Sequence, residues 1–195
     1  MTGAIDLISA LLLLAASSAG SGQDDKFDDP AARACRASLS VVQSIVNSMG
    51  SNLIFGSWVG QSSSQALDAE YQYDWAKVGR PRRGVSPPGA SEMRLMKPKS
   101  GFSAVERCPE IRDYLRRNRI QFGEEAVRQA YASRSPSGVT FVSVSLAIIA
   151  PTGNTSVITT SFGSLELGGG GWVSVYSRAN DATWVEAYIA PTSIG

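Results

Sequence analysis

VTFVSVSLAIIAPTGNTSVITTSFGSLELGGGGWVSVYSRANDATWVEAYIA, residues 139–190, decides the fold. β-Branched and aromatic residues dominate it. Turn-forming clusters interrupt it: Pro151-Thr152-Gly153-Asn154, the run Gly168-Gly169-Gly170-Gly171, and Asn180-Asp181. Apolar runs bounded by Gly, Pro and Asn are strands joined by turns. The spacing predicts strands over 139–149, 156–167, 172–177 and 183–190. Connections this short join antiparallel neighbours, so the expected arrangement is a four-stranded antiparallel meander. Alternation puts Val142, Val144, Leu146 and Ile148 on one face of the first strand, and a helix must cover that face.

The covering helix lies near the N-terminal end. Asp29-Pro30 reads as an N-cap followed by proline at the first helical position. The helix is expected over 31–47, with Leu39, Val42, Ile45 and Val46 as its apolar stripe and Cys35 one turn earlier on the same side. Two short helices precede the meander. One starts at Cys108-Pro109-Glu110 and runs to about residue 118, with Glu110 near its start and Arg116 and Arg117 near its end, as the helix dipole favours. The other covers 123–132, with Val127, Ala130 and Tyr131 inward. The fold class is therefore α+β: a C-terminal four-stranded antiparallel meander packed against an N-terminal helix. No internal repeat is present at domain scale.

The region between is less regular. Leu53-Ile54-Phe55 reads as a short strand inside Gly- and Ser-rich loops. Leu67, Ala69, Tyr71, Tyr73 and Trp75 alternate with Asp68, Glu70, Gln72 and Asp74. That pattern predicts a half-buried strand, although a helix with Leu67, Tyr71 and Trp75 on one side fits as well. Residues 78–103, with Pro81, Pro87, Pro88 and Pro98, read as a long loop.

At the start, Ile5 to Ala16 is nearly all apolar, and Ser17-Ser18-Ala19-Gly20 follows. An apolar core before a small-x-small site reads as a secretory signal peptide over 1–19, cleaved after Ala19. The stretch is shorter than the roughly 20 residues a membrane span needs. Met1-Thr2-Gly3-Ala4 carries no basic residue, unlike an ordinary signal, and a buried N-terminal helix is the competing reading. A mobile acidic segment over 20–29 and one globular domain over 30–195 complete the expected organisation. Export makes the two cysteines intelligible, since thiols pair in oxidising compartments. A Cys35–Cys108 bridge would close a loop of about 74 residues, for which chain entropy predicts on the order of 4 kcal/mol. Two buried free thiols are the alternative.

Composition excludes several chemistries. The 195 residues carry a formal net charge of +1, so global charge names no partner. Histidine is absent. Ser-His-Asp and Cys-His nucleophile systems, and zinc sites that need imidazole, are therefore excluded within this chain. Two cysteines cannot hold a Cys₄ zinc or an iron–sulfur cluster. No cofactor and no metal is expected.

Three candidate sites remain. Between residues 77 and 107, Lys77, Arg80, Arg82, Arg83, Arg94, Lys97, Lys99 and Arg107 outnumber Glu92 and Glu106. Such a segment either is a solvated loop face or binds an anion, with Lys77, Arg80, Arg82, Arg83, Lys97 and Lys99 as the contacts to an anionic envelope polymer. Nucleic-acid surfaces interleave aromatics between their charges, and only Phe102 does so here. Asp68, Glu70 and Asp74 on one strand face could act as paired carboxylates of a small hydrolase, but a half-exposed strand shows the same alternation. Glu124 and Glu125 complement a helix N-terminus. The glycine run leads into a strand and lacks Gly-Lys-Ser/Thr, so it reads as hairpin or bulge geometry and not as a phosphate loop.

The C-terminal stretch also carries a resemblance. Tyr131 to Gly138, Ser143-Val144-Ser145, Ala150-Pro151-Thr152-Gly153, the glycine-rich turn and Trp184 occur in this order. Over about residues 131–190 the chain resembles exported bacterial domains of unknown function that end in a Gly-rich antiparallel meander. Such domains often carry a cysteine pair at the glycine-rich turn, and Ser164-Leu165-Glu166-Leu167-Gly168 has none. The resemblance implies a fold and an exported location, and no activity. The expected role is non-enzymatic: a secreted or periplasmic domain that binds a protein or an anionic polymer, or serves the envelope, without a membrane span in the mature chain.

Overall fold

A computed structural model describes residues 29–57, 102–133, 138–164, 168–179 and 183–194. The elements are α1 (Pro30–Met49), β1 (Leu53–Phe55), α2 (Ala104–Arg107), α3 (Pro109–Arg117), β2 (Gln121–Phe122), α4 (Glu124–Ala132), β3 (Thr140–Val144), β4 (Ile148–Ile149), β5 (Thr155–Ser164), β6 (Gly168–Arg178) and β7 (Trp184–Ile194). The class is α+β, but the sheet is mixed and has seven strands among the described residues, not four. Its order is β2-β1-β3-β5-β6-β7, with β4 also paired to β5. β1 is parallel to both β2 and β3, while all other pairs are antiparallel. The antiparallel meander is therefore one side of a larger sheet. The short strand expected at Leu53–Phe55 is present, but its parallel pairing was not signalled, because its neighbours lie far along the chain.

Helices cover both faces of that second side. α1 begins where expected: Asp29 Oδ1 accepts the Ala31 N–H at 3.1 Å, and Pro30 opens the first turn. Its buried face is Ala34, Cys35, Ala37, Ser38, Val41, Val42 and Ile45. The stripe is thus rotated from the expected one, with Leu39 and Val46 only half-buried at its flanks. With Val105, Ile111 and Leu115 of α2 and α3 it packs on Leu53, Phe55, Val142, Val144 and Ile158 of the sheet. Removing such apolar area from water is the main source of stability here. α4 lies on the opposite face and links the parallel strands β2 and β3, with Ala130 against Ile54 and Phe141. Tyr131 was expected inward. Its ring instead lies flat on Phe141, centroids 4.9 Å apart, while the residue remains 54% exposed. Further along that face Val157, Val173, Val175 and Tyr188 are buried too.

The expected strand over 139–149 is broken. From Val144 to Ile148 the chain advances four residues while its partner advances three, from Thr160 to Val157. One extra residue is a bulge, and it shifts the side-chain phase. Ile149, rather than Ile148, consequently joins Val142 and Val144 in the core. The bulge is plugged from α1. Ser38, fully buried, accepts the Ala147 N–H on Oγ at 2.9 Å and donates to the Ser145 carbonyl at 3.3 Å. Ser145 Oγ accepts the Thr159 N–H at 2.9 Å, and Leu146 N donates to the Phe102 carbonyl at 2.8 Å. Backbone groups that the bulge removes from the ladder thus gain partners, as buried peptide groups require.

The glycine run is strand rather than connection. Gly168 to Gly171 pair with Ser164 to Ser161 and open β6, and a register shift between Gly171 and Trp172 marks a bulge against β7. Gly169 is pressed so closely to its partner that a Cβ there would stand 2.5 Å from the Phe162 carbonyl oxygen.

Candidate functional site

Cys35 and Cys108 form the expected disulfide, with Cα atoms 5.4 Å apart. Both residues are buried in the main core. The bridge ties the second turn of α1 to the junction of α2 and α3, where Cys108 closes one helix and opens the next. Its N–H donates to the Ala104 carbonyl, and its own carbonyl accepts from Ile111 N.

Lys77, Arg80, Arg82, Arg83, Lys97 and Lys99 lie outside the described residues, as do Asp68, Glu70 and Asp74 and the expected signal peptide. The end of the basic segment is described. The Arg107 guanidinium sits 3.9 Å from the centroid of the Phe102 ring, which is 37% exposed. Such stacking holds a guanidinium near the surface without neutralising it.

Basic character continues into α3 and the turn after it, where four arginines behave differently. Arg112 Nη1 donates to the Val105 and Glu106 carbonyls at 2.8 and 2.7 Å and so caps the C-terminal end of α2. It is structural. Arg116 pairs with Asp113 at 2.6 Å across an open surface, with 66% of its side chain exposed. A pair this exposed contributes little to stability. Arg117 donates only through Nε, to the Asp113 carbonyl at 3.3 Å, and Arg119 makes no side-chain hydrogen bond or ion pair with the described residues. Arg116, Arg117 and Arg119 are all exposed.

The backbone explains how Arg119 is presented. The Ile120 N–H donates to the Leu115 carbonyl at 2.9 Å and the Arg119 N–H to the Arg116 carbonyl at 3.1 Å. These are the paired bonds of a Schellman motif, with buried Ile120 seated against Leu115. The motif needs a left-handed residue, and Arg119 supplies it at φ 57°. Every other positive φ among the described residues belongs to glycine. An L-residue with a Cβ there costs about 1 kcal/mol relative to glycine. Sequence reasoning read Arg116 and Arg117 as dipole complements and passed over Arg119. One signal was available: no glycine follows the helix, so a residue with a side chain had to take the left-handed position.

The remaining candidates are structural. Glu125 pairs with Arg128 and accepts from Gln129 Nε2 at 2.9 Å, and Glu124 accepts from Ser57 Oγ at 3.2 Å. A shallow open depression on α1 is lined by Ser40, Gln43, Ser44, Asn47 and Ser48, none of which titrates in the neutral range. Among the described residues no three His, Cys, Asp or Glu side chains gather as metal ligands, and no helix is long and apolar enough to cross a membrane. No protein family, curated protein or solved structure matches this chain.

Proposed function

We propose that this chain works outside the cytosol, secreted or periplasmic, as a non-enzymatic domain that acts by binding in or near the envelope. The observation that carries the reading is the Cys35–Cys108 bridge, seated in the core with both residues buried. Reducing compartments keep thiols apart, whereas exported proteins hold such pairs oxidised. The apolar run before Ala19 supports the same compartment. Absence of histidine leaves the chain without the ordinary proton shuttle, while arginines stand exposed at the end of α3. That surface suits charge recognition better than bond-breaking.

Intact mass measured on the natural product, after alkylation without reductant, tests the reading. The expected species lacks residues 1–19, takes up no alkylating agent and is recovered from the medium or the periplasm. A cytosolic protein with two alkylated sulfurs would overturn it.

A further inference from the structure

We draw no further inference here: the strongest candidate, the outer edge of β7, where the sheet ends among the described residues, carries nothing because nothing in the structure shows what covers it.

Discussion

β5, β6 and β7 are 10, 11 and 11 residues long and follow one another directly along the sheet, whereas β1 and β2 have three and two residues and meet only after long excursions of the chain. The long strands are held by ladders between sequence neighbours, which cost little chain entropy to close. The short ones are held by what lies over them: the α1–α3 layer and its disulfide. Strands this short do not stand alone and depend on tertiary packing. The lesson is that two parts of one sheet can owe their order to different causes, and mutations can separate them.

The largest separation should come from the bridge. Cys35→Ala with Cys108→Ala frees a loop spanning 73 positions and should remove roughly 4 kcal/mol of stability in denaturant titration. Hydrogen exchange should then quicken first at Leu53–Phe55 and Gln121–Phe122, with Val157 and Val173 staying slow. Equal acceleration in both regions would break the contrast and show one cooperative unit. Ser38→Ala comes next. It leaves the Ala147 N–H and the Ser145 carbonyl without partners in a buried site, a loss of about 2–3 kcal/mol. Ser40→Ala, two positions along, removes only a bond to the Arg36 carbonyl within the helix and should change stability by less than about 0.5 kcal/mol. A similar cost for both would mean that the bulge is not held from α1. The third separation belongs to the ladder side. Gly169→Ala drives a Cβ against the Phe162 carbonyl and should cost about 1–3 kcal/mol, since the backbone of β5 and β6 has to move apart to admit it. Its exchange signature should stay within β5 and β6.

Legibility in the sequence follows the same division. Ladders between neighbouring strands leave an alternating pattern with turn residues between, so the meander could be read directly. Helix α1 announced itself through Asp29-Pro30, and the cysteines through their number. The parallel pairing of β1 with β2 and β3 left no comparable trace, because three apolar residues carry no period and their partners are distant. The bulge at Ser145 to Ala147 was hidden within 139–149, which reads as one strand although Thr140, Ser143 and Ser145 interrupt its apolar residues; the side chain that fills it, Ser38 of α1, lies far along the chain. The glycine run, expected as hairpin or bulge geometry, opens β6 with a register shift at Gly171/Trp172; only its placement outside the strands fails, because glycine tolerates both strand and turn. Arginine at positions 116, 117 and 119 was visible as charge, but the left-handed backbone of Arg119 comes from the local turn that returns the Ile120 N–H to the Leu115 carbonyl, which charge alone does not reveal.

Both sulfurs of the bridge precede every strand from β3 onward in the chain. On a secretion route that emits the polypeptide N-terminus first, oxidation can therefore be complete while the last third is still being delivered. The late strands would then assemble on a helical platform already locked in place. Maturation would depend on oxidant supply early and on nothing but spontaneous zippering afterwards.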